Sequence, residues 1–267
     1  MTASIELLHG RKQDLVSKAD RLLARFYRPQ VRRLSLQKPV VCFSFDDIPD
    51  NAATNGAAIL NAAGSRGSFF VAGGLCNRRF RQDVFASQEL IAELAAQGHE
   101  IGCHTFSHAD EQRLSVTELT AEYAQSRAFL STIQPDLRFI SHAYPYGSVG
   151  IRQKAIAARY FDVCRGVVPG VNAGRVDMMQ LKAVPLYDSK YTVDEIFAHI
   201  NQAVAQNGWL IFYTHDVSEH PSAQGTSIDL FNRALDHALQ MGCKVETMAE
   251  TFSGLSHADM GAAHKAA

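Results

Sequence analysis

Short apolar runs alternate along this chain with longer stretches in which apolar positions recur every third or fourth residue. The runs VVCFSF (40–45), GSFFVAGG (67–74), HEIGCH (99–104), RFISHAYP (138–145), FDVCRGV (161–167), LKAVPLY (181–187), WLIFYTH (209–215) and CKVETM (243–248) read as strands. Between them, residues 51–64, 88–97, 115–134, 151–160, 192–208 and 227–242 read as helices. Gly64, Gly98 and Gly208 follow helix ends, Pro135 stops the helix from 115, and Ser115 with Glu118 forms a capping box. Near-continuous apolar strands alternating with helices predict a parallel sheet covered by helices. Seven or eight such units predict a (β/α) barrel, complete or not, with a doubly wound open sheet as the alternative. Residues 165–180 read as a long loop, and long loops in compact domains are often functional.

Ahead of the first strand, Leu15, Ala19, Leu22, Leu23 and Phe26 recur at helical spacing among basic residues. They predict an amphipathic helix in an N-terminal extension over 1–37, packed on the domain or on a second copy in a homodimer rather than on a membrane surface. The barrel then spans 38–253, and 254–267 reads as a flexible tail.

The chain has 267 residues, enough for one large core, and its 46% hydrophobic content is ordinary. A formal net charge of −1 leaves no basic field for nucleic acid. No run approaches the roughly 20 apolar residues of a membrane span, and the N-terminus shows no apolar signal-peptide core. With five scattered cysteines and no C-x-x-C, this predicts reduced, mostly buried thiols in a cytoplasmic protein.

Chemistry in parallel α/β folds collects at the C-terminal ends of strands, and the unusual polar residues fall there. SFDD supplies Asp46 and Asp47, HTFSH supplies His104 and His108, SHAYPYG follows the fourth run, and THD supplies His215. Two imidazoles and one carboxylate make a three-ligand site with open positions, the layout of a catalytic metal centre. The donors suit Zn²⁺ first, with Co²⁺, Mn²⁺, Ni²⁺ or Fe²⁺ as alternatives. One aspartate of the pair can ligate while the other accepts a proton, and His215 is placed to protonate a leaving amine.

In this order and spacing, SFDD, HTFSH, AYPYG and LIFYTH resemble the motifs of the polysaccharide deacetylase (NodB-homology) family, over about residues 38–250. The resemblance implies a distorted (β/α)7 barrel that hydrolyses N-acetyl, O-acetyl or N-formyl groups with one divalent metal. It implies Asp46 as general base, Asp47, His104 and His108 as metal ligands, and His215 as general acid. It also implies that the backbone N–H of Tyr146 helps hold the oxyanion. Where the family's third motif has an arginine that holds the base, this chain has Ala143. Arg165, on the next strand-like run, is expected to replace it. Asp188 is expected to orient the acid histidine, with Asp177 and Asp216 as competitors.

The expected substrate is an N-acylated amino sugar, a small glycan or a glycan precursor. Two alternatives stand beside it: hydrolysis of a non-sugar amide at the same metal site, and a silent sugar-binding barrel, which the missing motif arginine favours. Trp209, the single tryptophan, starts a strand away from the site end, so Tyr144, Tyr146, Tyr187, Tyr191 and Tyr213 are left as sugar platforms. Cys103, His99 and His142 read as core or supporting residues, and His220 as a rim residue.

Overall fold

A computed structural model describes residues 15–80, 83–136 and 138–255. The first fourteen residues of the expected N-terminal extension and residues 256–267 of the expected tail lie outside the described residues.

Seven parallel strands form one curled sheet: β1 (Val40–Asp46), β2 (Ser68–Val71), β3 (Glu100–Cys103), β4 (Ser141–Ala143), β5 (Val163–Arg165), β6 (Val184–Pro185) and β7 (Trp209–Thr214). Their order across the sheet is β6-β7-β1-β2-β3-β4-β5. That is chain order wrapped once around a circle, as a barrel requires, and an open doubly wound sheet would reverse direction partway. The two ends meet at an irregular seam. Arg165 and Leu181 form a single parallel bridge, the Gly166 N–H donates to Leu181 O at 2.9 Å, and the Ala183 N–H donates to Val168 O at 3.0 Å. The fold is therefore a distorted barrel. An eighth strand, β8 (Lys244–Val245), pairs with the first two residues of β1, along the edge whose later residues pair with β2.

Alternation along β1 divides the core. Val41, Phe43 and Phe45 pack with Leu60, Ile91, Leu94, Ile196, Leu230 and Phe231 from the outer helices. Val40 and Cys42 face the other way, with Phe70, Cys103, Trp209 and Ile211. Trp209 is fully buried and its indole N–H meets Cys42 Sγ at 2.9 Å, which removes it from any substrate surface. The helices are α1 (Leu15–Ala24), α2 (Ala57–Ala62), α3 (Gln88–Ala96), α4 (Val116–Ile133), α5 (Ile151–Ala157), α6 (Val193–Gln206), α7 (Ile228–Gln240) and α8 (Met248–Ser253). The Ser115–Glu118 box opens α4 as the sequence predicts. A matching box, Thr247 with Glu250, opens α8, where the sequence reading had only a final strand and a tail.

Two other features depart from expectation. The long loop contains a short antiparallel ribbon, with Arg175–Asp177 paired to Val31–Arg33; three-residue strands are too short to show a period. The helix α1 forms, but its apolar stripe points outward: Leu22, Leu23 and Phe26 are exposed. Polar groups dock it instead. Asp20 accepts from the Ile151 N–H at the start of α5 and from Gln112. Gly150 leaves room for that carboxylate, since a Cβ there would stand 1.7 Å from Asp20 Oδ2. The buried Lys154 ammonium donates to Ala24 O, Tyr27 O and Asp177. Among the described residues no helix is long and apolar enough to cross a membrane.

Candidate active site

The loops after β1, β3 and β4 carry an unusual backbone. Asp47, Ile48, Thr105, His108 and Tyr146 all have φ between 54° and 62°. Among the other described non-glycine residues, only Asn77 and Asn207 have positive φ. Non-glycine residues in this region cost about 1–3 kcal/mol each, and such strain persists where the surroundings enforce it, commonly at functional sites. Thr105 is enforced locally: its Oγ1 accepts from the Ala109 N–H at 3.0 Å. Glu122 of α4 accepts from the Phe106 and Ser107 N–H groups, both at 2.8 Å. The loop holding His104 and His108 is thereby tied at both sides.

Asp47, His104 and His108 converge. Asp47 Oδ1 lies 3.5 Å from His104 Nε2 and 3.2 Å from His108 Nε2, and the three donor atoms fall within 4.8 Å of one another. All three residues are buried. Burial pushes His104 well below its usual pKa and takes His108 down to about 4, so both rings are neutral at pH 7. His104 Nδ1 lies 2.7 Å from Ala143 O. That carbonyl can only accept, so Nδ1 carries the proton and Nε2 offers its lone pair toward Asp47. Two neutral imidazoles and a carboxylate aimed at one point fit a divalent cation, with nitrogen and oxygen donors of the kind Zn²⁺ takes.

Asp46 ends β1 and is 5% exposed. Arg165 Nη2 donates to both of its oxygens, with Oδ2 at 2.6 Å. The guanidinium is fully buried, lies 4.8 Å from the Tyr213 ring centroid and 5.4 Å from that of Phe70, and donates through Nη1 to Gly166 O. Burial alone would raise the Asp46 carboxyl. Arg165 above all, then His104 and His215, hold it below its ordinary value. The arginine arrives by a short route: Ala143 and Arg165 are register partners on β4 and β5. The guanidinium therefore reaches Asp46 from one strand over, at the level of Ala143.

His215 follows β7, and its Nδ1 lies 3.3 Å from the Tyr187 hydroxyl. Asp188, expected on that nitrogen, turns to solvent and accepts from the Ser227 N–H at the start of α7. Neighbouring side chains at a strand end point opposite ways, and the inward one here is Tyr187. The competing aspartates are engaged elsewhere, Asp177 by Lys154 and Asp216 by Ser222. Burial, with Tyr213 and Asp46 adding to it, raises Tyr187 above the usual phenol value, so it stays a neutral partner.

Asp46, Asp47, His104, His108, Tyr146 and His215 line one cavity of about 220 Å³, with Tyr144, Tyr187 and Tyr213 as its aromatic walls. Tyr191 and His220 lie outside that lining. Gly147 closes the turn beside Tyr146 at φ 60°, and a Cβ there would stand 2.1 Å from Val167. Behind the metal-binding loop, Glu111 and His142 form a fully buried pair at 2.7 Å, with Tyr123 donating to the same carboxylate. No motif announced that pair.

Residues 33–160 match the polysaccharide deacetylase family profile. That stretch holds Asp46, Asp47, His104, His108 and Tyr146, while Arg165, Tyr187 and His215 lie beyond it. A gellan lyase from Bacillus sp is 35% identical over 126 residues, which are 46% of this chain and 5% of that protein. A chitin deacetylase from Pestalotiopsis sp is 28% identical over 90 residues, 34% of this chain and 28% of that protein. The chain thus spans only a small part of the curated relatives it matches. The structure of the chitin deacetylase from Colletotrichum lindemuthianum superposes with a TM-score of 0.60 at 18% identity, covering 87% of this chain and 96% of that one. Residues 33–160 thus resemble the polysaccharide deacetylase family, and the fold as a whole is that of the chitin deacetylase structure.

Proposed function

We propose that this chain is a metal-dependent hydrolase that removes an N-acetyl or formyl group from an amino sugar in a small glycan or glycan precursor. The observation that carries the reading is the shared cavity: an arginine-held carboxylate, a three-donor cluster and a histidine converge on one space. A divalent cation held by Asp47, His104 and His108, Zn²⁺ by its donor set, supplies Lewis acidity and lowers the pKa of bound water to roughly 7. Asp46 takes the proton of the attacking water. Arg165 lowers the basicity of Asp46 and fixes its direction, so positioning is its main contribution. The Tyr146 N–H stabilises charge developing on the acyl oxygen. His215 protonates the departing amine, its ring set by the Tyr187 hydroxyl.

The cavity is smaller than the roughly 300–1,000 Å³ of drug-sized ligand sites. It admits about one sugar ring and its acyl group, and for the same reason a small cyclic amide is a second reading. The test is acyl release, with acetate and formate assayed separately, by protein reconstituted with Zn²⁺ or Co²⁺. Asp46→Asn serves as the blank, and N-acetylglucosamine oligomers, nucleotide-linked amino sugars and cyclic amides form the panel. Release from the sugars that vanishes in the blank supports the reading. Release confined to cyclic amides transfers it to the second, and no release with metal bound refutes both.

The two candidate orienters of His215 separate cleanly. Tyr187→Phe should lower kcat by about tenfold, less than the roughly 10²–10⁴ of a whole acid–base group because the histidine itself stays, with KM nearly unchanged. Asp188→Ala should leave kcat within about twofold, since it acts on α7. Steady-state kinetics of both variants decide, and the reverse order would restore Asp188 to the site.

A further inference from the structure

The active-site cavity does not end at the catalytic cluster. It shares Gly147 and Val167 with a neighbouring groove of about 390 Å³, whose α1 wall presents Lys18, Arg21 and Arg25. That groove shares Arg25, Val168 and Gln180 with a further cavity of about 270 Å³, where Arg28, Arg175 and Lys182 are added. Six cationic side chains thus follow one trough away from the reacting centre, on a chain whose formal net charge is −1. The one acid lining it, Asp177, is already bound to Lys154. The acid of α1, Asp20, is turned onto Ile151 and Gln112. Among the described residues, Lys18, Arg25, Arg175 and Lys182 form no ion pair with an acidic side chain. Arg21 is partly buried, and burial, with Arg25 beside it, pushes its pKa down, offset in part by Asp110. An exposed cationic row is ordinarily a solvated face. This row is concave and joined to the active site, four of its six cations pair with no acid among the described residues, and its helix wall is locked by Lys154 and Asp20.

We infer that the trough binds a phosphate or diphosphate carried by the substrate beyond the acylated sugar. The inference rests on the deacylase reading of the adjoining site. Arginines outnumber lysines in the trough, and their planar forks suit phosphate oxygens. Such a group is shared by nucleotide-linked and lipid-linked sugars. The exposed Leu22, which lines the groove, adjoins the path that a lipid carrier would take.

The test uses the full metal-reconstituted chain with N-acetylglucosamine trimer, uridine diphosphate N-acetylglucosamine and polyprenyl diphosphate N-acetylglucosamine in detergent. A diphosphate-bearing substrate should exceed the neutral trimer in kcat/KM by at least about tenfold at low salt, the preference shrinking as ionic strength rises. Arg21→Gln with Arg25→Gln should erase most of that preference through KM. Arg175→Gln with Lys182→Gln, on the loop side, should reduce it without touching the helix. Arg233→Gln, on the far helix α7, should keep it. Calorimetric binding of inorganic pyrophosphate to wild type and to the Arg21/Arg25 variant runs beside the kinetics. Arginine-dependent pyrophosphate binding without any turnover would sink the deacylase reading and leave the trough standing. Turnover of the trimer with no diphosphate preference and no pyrophosphate binding overturns the trough alone. If either diphosphate is preferred the trough stands, and the better one identifies the carrier.

Discussion

Arg165→Ala should lower kcat by about 10²–10⁴, the range for losing an oriented general base, while the protein still binds one equivalent of metal. The Arg165 guanidinium donates to Asp46 and to Gly166 O, and the proposed ligands Asp47, His104 and His108 meet one another, so metal content should hold. Stability should fall too. The variant leaves the Asp46 carboxylate buried without its cation, and breaking a buried pair on one side typically costs about 3–5 kcal/mol. The sign of the pH dependence follows. Asp46 is held below its ordinary value of 3.8, so the pair's stabilisation is present above about pH 4 and is lost on acidification. The stability gap between wild type and variant should therefore narrow as pH falls.

The stricter test moves the arginine. Ala143 and Arg165 are register partners on parallel neighbours, so side chains from the two positions leave the same face of the sheet. Ala143→Arg combined with Arg165→Ala should recover a substantial part of the lost turnover. Arg165→Lys should recover less, because an ammonium offers a point charge where the guanidinium offers a fixed plane. If the single variant keeps wild-type kcat, Asp46 does not depend on this contact. If the swap recovers stability but no activity, the pair is structural only. Metal content, kcat and the melting curve of each variant separate these outcomes.

The sequence was informative where burial imposes a rule. Strands β1 and β7 are apolar at nearly every position because both faces are covered, and that made the parallel sheet legible. Asp46, Asp47, His104 and His108 stood out because charged and ligating groups are rare at the ends of such runs. Arg165 was legible for a related reason: a buried carboxylate without its motif arginine requires a cation from somewhere nearby. What stayed hidden depended on direction. Tyr187 and Asp188 are adjacent, and no local pattern says which turns inward. The stripe on α1 was visible as amphipathic, but its orientation is set by Asp20 and Lys154, single polar contacts across long sequence separations. Glu111 and His142 are thirty-one residues apart and belong to no motif.

Removing that last pair from one side should produce the largest loss of stability outside the catalytic cluster. Glu111 sits on the turn after His108. His142 precedes Ala143, whose carbonyl holds the His104 ring. Between them, Glu111 Oε1 meets His142 Nε2, Tyr123 donates to Oε2, and His142 Nδ1 meets Cys103 O at 2.9 Å. Burial alone would lower the His142 pKa, but Glu111 outweighs it and raises it to about 10. The pair is therefore ionic, and it joins the loop that carries the proposed ligands to the strand that orients one of them. Glu111→Leu would leave the buried His142 ring without the anion that keeps it protonated, at about 3–5 kcal/mol, or about 10 °C in melting temperature for a chain of this size. Glu111→Leu with His142→Phe removes both charges into the surrounding aromatic cluster of Phe161, Tyr123 and Tyr144. It should lie within about 1–2 kcal/mol of wild type, because a buried pair often breaks even against apolar replacements. The folded pKa of His142 lies above its ordinary 6.5. The pair's stabilisation is thus complete below about pH 6.5 and is lost as pH rises toward 10. Wild type should lose ground to the double variant across that window, and calorimetric melts at pH 6, 8 and 10 measure it. A double variant as unstable as the single would mean that packing, and not charge, holds this loop to its strand.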